Sequence, residues 1–354
     1  MPIPYNLVSR DTQRSLEEFS DQFKQALVLA DVIDWSDFGL SYTLSSVAGK
    51  VTFPLPIDAA GYREFKGDAK YRKLYERSMS FTTKQWQDGV QMQAIEIEAP
   101  DFAGWAQAPD NMAREWKRLP MLMLASLLQG PAPATNAPAA YVGPLLDLYR
   151  DRDSNTASTI NWFSTAQQAN VFDPAVGTFS NLRTTTVANI TSGAFMDDLY
   201  TYAMSVVGPN GKPLDVTVEG STILTPTTYT RTFKKLLEQD TLLTAVSNAG
   251  VQGASANVVA AGLRKNIDFG QVSYQECREF NITNGWDQVF FVVLGGATEL
   301  YPWVALTDGA PEEALFDKSS EFYKETSAVK IGYKGNANVG AAMPHRIVRY
   351  QVTG

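Results

Sequence analysis

The chain has 354 residues and a mass of 38.9 kDa, with 44% hydrophobic and 19% charged residues. That is enough for one large or two moderate domains with an unstapled core, and it excludes a disordered chain. Thirty basic against 38 acidic residues, net −8, argues against a protein built to grip phosphates. A single cysteine, Cys277, and a single histidine, His345, exclude an intrachain disulfide and a site of Cys and His metal ligands. No basic start followed by an apolar stretch opens the chain, and no run of about 18 apolar residues could span a membrane.

The first predicted element is a helix over Ser9–Ala30, after a short arm, Met1–Val8, that carries Pro2 and Pro4. Leu16, Phe19, Phe23 and Leu27 fall on one face at steps of three and four. Ser15 and Glu18 have capping-box spacing, and Glu17, Glu18 and Asp21 read as an acidic first turn. Two strand-like stretches follow, Val51–Pro56 and Ser78–Ile97, on either side of a mixed-charge cluster. In the second, Val90, Met92 and Ala94 alternate with Gln91 and Gln93, and the phase slips at Ala94–Ile95, where pairing should end. Arms of about 20 residues would reach roughly 65 Å, so they must join a sheet or be covered by a neighbour.

Pro109–Gln129 reads as a long helix with a stripe of Met112, Trp116, Leu119, Met123 and Leu127. Pro109 suits its first turn, Pro120 should kink it, and Gly130-Pro131 ends it. A Pro- and Ala-rich loop and a turn-rich region follow, with Trp162-Phe163 as anchors. Phe195–Val206 reads as a helix, Thr222–Leu224 as a buried strand and Thr227–Gln239 as a helix. Strand signals then recur at Asn257–Ile267, Gln271–Cys277, Gln288–Leu294 and Trp303–Leu306. Pro311–Lys324 is mixed and acidic, and Ser327–Tyr333 and Arg346–Val352 are strand-like.

Chemistry-bearing patterns are sparse. There is no G-x-S-x-G elbow, no phosphate loop and no G-x-G-x-x-G. His345 lies in Met343-Pro344-His345-Arg346 with no partner for base catalysis in its vicinity. Cys277 sits in the strand-like QECREF, where a thiol behaves as a small core residue. Asp197-Asp198 and Glu312-Glu313 read as solvated surface, and the sequons at Asn189 and Asn281 carry no meaning without a secretory signal. No catalytic, cofactor-binding or metal-binding residue is assigned, and no cofactor is expected.

One ordered series of segments is more specific. It runs Tyr62-Arg63-Glu64-Phe65-Lys66-Gly67-Asp68, Leu74, Phe81-Thr82-Thr83-Lys84-Gln85-Trp86 and Ile95-Glu96-Ile97-Glu98-Ala99-Pro100-Asp101. It continues with the helix end Leu127-Leu128-Gln129-Gly130, Trp162-Phe163-Ser164, Asn181-Leu182, Gly211-Lys212-Pro213-Leu214, Thr222–Pro226 and Glu321-Phe322. Over roughly residues 45–352 this order resembles the major head (capsid) subunit of Mu-type tailed bacteriophages. The acid pair before the long helix differs from that pattern, as Glu98-Ala99-Pro100-Asp101. Ala166 stands near the place of a histidine common in the family.

The resemblance implies an α+β chain of the Hong Kong 97-like capsid fold. Its parts would be an N-terminal arm and helix (1–45), an extended loop hairpin (46–100) and a peripheral domain (101–189) with a spine helix (109–129). An axial domain (190–310) and a return to the peripheral domain (311–354) complete it. It implies a structural, non-enzymatic subunit that assembles into pentamers and hexamers of an icosahedral head around double-stranded DNA. On that reading Arg63, Glu64, Lys66, Lys70, Arg72, Lys73 and Arg77 contact a neighbouring subunit, and Met112, Trp116, Leu119, Met123 and Leu127 pack the spine helix. Implied partners are further copies of itself, portal, scaffolding and decoration proteins, and DNA held only loosely. No membrane is involved, and the implied location is the virion, with assembly in the host cytoplasm. About 45 residues precede the loop, too few for a fused scaffolding domain, so a separate scaffolding protein is expected. Covalent lysine–asparagine crosslinking is not expected. The alternatives are an encapsulin-like nanocompartment shell and a cytoplasmic α/β enzyme.

Overall fold

The computed structural model describes residues 5–30, 40–43, 50–54, 77–93, 103–130, 149–151, 161–170, 174–208, 211–238, 241–247, 259–265, 270–280, 286–296, 300–316 and 320–353. In chain order its first elements are α1 (Tyr5–Leu29), β1 (Leu40–Thr43), β2 (Lys50–Pro54), β3 (Arg77–Thr82), β4 (Lys84–Gln93), α2 (Ala103–Gln129) and β5 (Tyr149–Asp151). Next come β6 (Gln167–Gln168), β7 (Thr178–Phe179), β8 (Leu182–Thr186), α3 (Val187–Ser192), α4 (Ala194–Ser205), β9 (Thr217–Thr225) and α5 (Thr227–Glu238). The last are β10 (Thr241–Ser247), β11 (Val259–Lys265), β12 (Val272–Glu276), β13 (Val289–Gly295), β14 (Trp303–Thr307), β15 (Glu312–Phe316), α6 (Glu321–Thr326), β16 (Ala328–Ala341) and β17 (Ile347–Thr353). The class is α+β, as expected. Two units divide the chain: Met1–Val51, Phe81–Leu124 and Val304–Gly340 form one, and Thr52–Ser80, Ala125–Trp303 and Ala341–Gly354 the other.

The first unit is organised by β16. Its odd-numbered residues from Val329 to Val339 are buried and the even-numbered ones between them half-buried, the period-2 signature of a strand with one core face. β4 pairs with it antiparallel from Lys84 opposite Ala337 to Gln93 opposite Ala328. β15 pairs with it antiparallel and β14 joins it to β1, which runs parallel to β14. So the second predicted strand stretch divides at Thr83, and its longer part joins β16 in a sheet. Met92 is buried, Val90 is half-buried, and Gln91 and Gln93 are exposed; the phase slip at Ala94–Ile95 lies outside the described residues.

α1 lays Leu16, Phe19 and Phe23 on a core with Met92, Met112, Ala113, Val329, Ile331 and Tyr333, and the half-buried Leu27 joins them. Phe23 stacks on Tyr333 with ring centroids 3.6 Å apart. The helix begins at Tyr5, earlier than predicted, so Glu17, Glu18 and Asp21 lie in its middle and not in a first turn. α2 likewise begins at Ala103 and runs through both Pro109 and Pro120. Of its predicted stripe, Met112 is buried, while Trp116, Leu119, Met123 and Leu127 are half-buried. Beyond Pro120 the fully buried positions are Met121, Leu124, Ala125 and Leu128. At about 100° per residue these lie on the other side of the helix from the stripe. The segment MLMLASLL is apolar nearly all round, so periodicity could not choose its inner face.

The second unit holds a mixed sheet of order β12-β9-β13-β17-β8. β12 runs parallel to β9 and β17 parallel to β8, while β13 is antiparallel to both of its neighbours. Every residue of β13 is buried, as an unbroken apolar run requires in a strand covered on both faces. The helices α3, α4 and α5 supply Ile190, Phe195, Leu199, Tyr202, Phe233 and Leu236 to the core on the sheet. The rings of Phe195, Phe233, Phe290 and Tyr350 meet edge-on or stacked at 4.9–6.0 Å. β10 and β11 form a separate antiparallel pair. Neither β10 nor β15 has a counterpart in the sequence reading.

Two glycines of β16 are set by close approach. A Cβ on Gly335 would lie 2.4 Å from the Trp116 ring, and one on Gly340 would lie 2.1 Å from the Phe81 ring. Each ring occupies the place of the missing side chain. Gly335→Ala should therefore lower stability by about 1–3 kcal/mol, the usual cost of overpacking. Trp116→Leu in the same chain should recover part of it. Urea unfolding of the unassembled protein measures both; equal stability of Gly335→Ala and wild type would show that the ring can move aside freely.

Candidate functional site

Arg63, Glu64, Lys66, Lys70, Arg72 and Lys73, the residues assigned to contacts with a neighbour, lie outside the described residues. Arg77 opens β3, where its backbone stands opposite Asp151 of β5. Trp116, of the predicted helix stripe, covers Gly335.

The groups with intrinsic reactivity are turned inward. His345 is fully buried. Its Nε2 lies 2.8 Å from the Ala169 carbonyl oxygen, and its ring is 5.0 Å from that of Phe179. Burial pushes the imidazole down to about 4, against a smaller upward effect of the Ala169 carbonyl. Such a ring is neutral at pH 7 and reaches no solvent, so it cannot serve a substrate as a base. Cys277 is buried too, and burial, then Glu279 and Glu276, push its thiol well above the ordinary value. A thiol held protonated is not a nucleophile. Among the described residues, no group of three or more His, Cys, Asp or Glu could hold a metal ion.

The acid pairs behave unequally. Asp197 is exposed, as a solvated carboxylate should be, but the half-buried Asp198 is not plain surface. Its Oδ1 accepts from Arg183 Nη1 at 2.5 Å, and its Oδ2 accepts from the Tyr350 hydroxyl at 2.8 Å. Burial first, then the Asp198 charge, raise Tyr350 well above its ordinary value, so it stays a donor. Neighbours on a helix point about 100° apart, which separates the two acids. Glu312 and Glu313 are exposed on β15; Glu312 pairs with Lys334 at 3.4 Å and Glu313 accepts from Ser20 at 2.5 Å.

Asn181, fully buried just before β8, makes three side-chain hydrogen bonds. Its Oδ1 accepts from the Ser164 backbone at 2.8 Å. Its Nδ2 donates to the Trp162 carbonyl at 2.8 Å and to the Pro344 carbonyl at 3.2 Å. Its backbone N–H donates to Ser164, and its carbonyl accepts from Arg349. Trp162 and Phe163 are both fully buried, and Phe163 meets Phe291 at 5.6 Å. The sequence marked Asn181 only as part of a two-residue segment, since a buried amide leaves no periodic signal.

Solved structures of capsids are similar to this chain. The asymmetric unit of the bacteriophage PhiM1 mature capsid is 10% identical, with 92% of this chain and 88% of that one covered at a TM-score of 0.49. The cyanophage Pam1 capsid is 14% identical, with 88% and 87% covered at a TM-score of 0.48. The capsid of an empty GTA particle is 10% identical, with 92% of both chains covered at a TM-score of 0.48. No family model matches the chain, and no curated protein matches it.

Asn181→Ala should cost roughly 2–4 kcal/mol, because it removes three hydrogen bonds and leaves buried partners unpaired. Asn181→Asp should be nearly as harmful, since a carboxylate cannot donate to the Trp162 and Pro344 carbonyls. Tyr350→Phe should cost less than Asn181→Ala, about 1.5–3 kcal/mol, a single hydrogen bond to a carboxylate. Urea midpoints with unchanged m-values check the ranking; Asn181→Asp at wild-type stability would contradict it.

Proposed function

We propose that this chain is the major capsid subunit of a tailed-bacteriophage head, of Hong Kong 97-like fold, and that its role is structural and not catalytic. One observation carries the reading. Trp162-Phe163-Ser164 and Asn181-Leu182, two landmarks of the resemblance, are tied directly to each other by Asn181. Other landmarks fall at matching places: Leu127-Leu128-Gln129 ends α2, and Gly130 follows with φ 58, the left-handed turn that stops helices. Thr222–Thr225 ends β9, and the helix α5 starts directly after Pro226.

On this reading the division into arm, extended loop, peripheral and axial domains is the one given by the resemblance. Subunits form pentamers and hexamers, so the same surfaces meet in slightly different rings through heterologous contacts that close. The segment Arg63–Arg77 lies over a neighbour and makes charge pairs there. Each exposed pair contributes only about 0–1 kcal/mol, and repetition around a closed shell makes the sum decisive. The net charge of −8 keeps packaged double-stranded DNA weakly held. Portal and scaffolding proteins would be partners in assembly inside the host.

Negative-stain electron microscopy with light scattering tests the reading. Shells, or rings of five and six, are expected, with a scaffolding protein added where the chain alone stays monomeric. A discrete dimer or tetramer unchanged by that addition would overturn it. Reversing Arg72 and Lys73 to glutamate should lower the assembled fraction at least several-fold without changing the unfolding of the free subunit. Undiminished assembly would remove the loop from the contact.

A further inference from the structure

The single histidine is placed where a charge has nowhere to go. His345 belongs to the short turn Pro344–Arg346 that leads into β17, and it is fully buried. The Ala169 carbonyl can only accept, so Nε2 carries the hydrogen and Nδ1 is left bare. Nδ1 is buried and has no hydrogen-bond partner. Both side-chain atoms of Gln167 are also buried and unpartnered. Gln167 stands two residues before Ala169 and directly opposite Phe179, whose ring meets the imidazole. Residues 161–170 contain only the two-residue strand β6 and an isolated bridge residue, so long-range ties hold them. Two of those ties end on the Pro344–Arg346 turn, one through His345 and one through Asn181.

We propose that His345 is an acid-operated latch that holds the β6 end of this segment, residues 167–170, onto the turn preceding β17 while neutral, and releases it when it takes up a proton. Protonation adds an N–H at Nδ1, in a buried place with no bonding partner. The groups packed around the ring do not compensate. From the 161–170 segment comes the neutral Ala169 carbonyl, and from β7 comes the Phe179 ring. From α4 comes Tyr202, whose hydroxyl donates to the His345 carbonyl and which burial keeps protonated. The charged groups stand further out or have other partners. Arg346 donates twice to the Leu294 carbonyl, and Arg183 lies over the Tyr202 ring and pairs with Asp198. Burying an unpaired cation is costly, so the imidazolium must draw in water, and the short β6 segment is the cover that can lift.

The direction follows from linkage. The closed form binds the proton with its affinity lowered to about 4, while the open form keeps the ordinary value of 6.5. As pH falls from 6.5 to about 4 only the open form is protonated, so closure weakens across that window and no further below it. The full weakening is about 300-fold in the opening equilibrium, tenfold for each unit between the two values.

A chain with one histidine gives one imidazole signal. In protein labelled with nitrogen-15 only at histidine, magic-angle-spinning spectra from pH 7 to 3.5 should show the neutral Nε2–H tautomer to below pH 5. Hydrogen–deuterium exchange of peptides covering 161–170, corrected for intrinsic rates, should lose protection by up to about 300-fold between pH 6.5 and 4. His345→Gln keeps an uncharged donor for Ala169 and should remove that pH dependence. A midpoint near 6.5, or equal loss of protection in His345→Gln, would overturn the latch. Should that variant not fold, exchange of the wild-type chain alone decides. Protection of 161–170 that stays constant between pH 6.5 and 4 overturns the proposal.

Discussion

The side-chain amide of Asn181 fixes together stretches of chain that lie far apart in sequence. It satisfies the Trp162 and Pro344 carbonyls and the Ser164 N–H, while its own backbone bonds Ser164 and Arg349. No apolar residue could do this, and no acid could donate both bonds. Inside a protein a fully paired amide contributes specificity, because any other register leaves buried partners unsatisfied. The consequences extend outward. Trp162 and Phe163 are committed to the core, the Pro344–Arg346 turn is anchored, and β17 enters its place between β13 and β8. His345, one residue beyond Pro344, is fully buried.

The two units solve the burial of a mixed sheet differently. In the second, helices cover the sheet and large rings interlock, so close packing comes from aromatic edges meeting faces. In the first, β16 gives up side chains at Gly335 and Gly340, and the rings of Trp116 and Phe81 rest on bare backbone. Trp86, across from Gly335 on β4, donates its indole N–H to the Ala337 carbonyl and so completes its own bonding while half-exposed. Glycine in a strand interior is unfavourable by itself. Here the loss is offset by the area each ring buries.

What the sequence disclosed followed the strength of its periodic signals. The buried face of α1 was legible because Leu16, Phe19, Phe23 and Leu27 are separated by polar residues. So was the alternation of β4, where Met92 is buried and Gln91 and Gln93 are exposed. The start of α2 was not, because Pro109 has the form of a first-turn signal while the helix already runs from Ala103. Its inner face beyond Pro120 was not, because there is too little polar contrast to orient it. The strand β15 was hidden by Glu312 and Glu313, which a solvent-facing strand tolerates and a pattern search reads as loop. At the candidate sites, Cys277 was legible as a small core residue from its place in the strand-like QECREF. The pairing of Asp198 with Arg183 and Tyr350 was not, since it joins residues 15 and 152 positions apart.

This distribution of chemistry bears on the proposed shell role. The chain's imidazole and thiol, its groups best suited to catalysis near neutral pH, are held neutral in the interior. The described surface carries exposed apolar residues such as Val28, Leu29 and Met204, and charge pairs such as Lys334 with Glu312 and Lys234 with Glu238 at 3.4 and 3.8 Å. Exposed pairs of that kind are individually weak and easily exchanged. Weak, exchangeable contacts suit a subunit that must meet its neighbours at more than one angle, because no single geometry is so strongly favoured that the others are lost. A rigid interior with adaptable edges is therefore the combination that quasi-equivalent assembly requires. In the second unit the Asn181 knot supplies rigidity, and the neutral His345 beside it makes that rigidity conditional on pH.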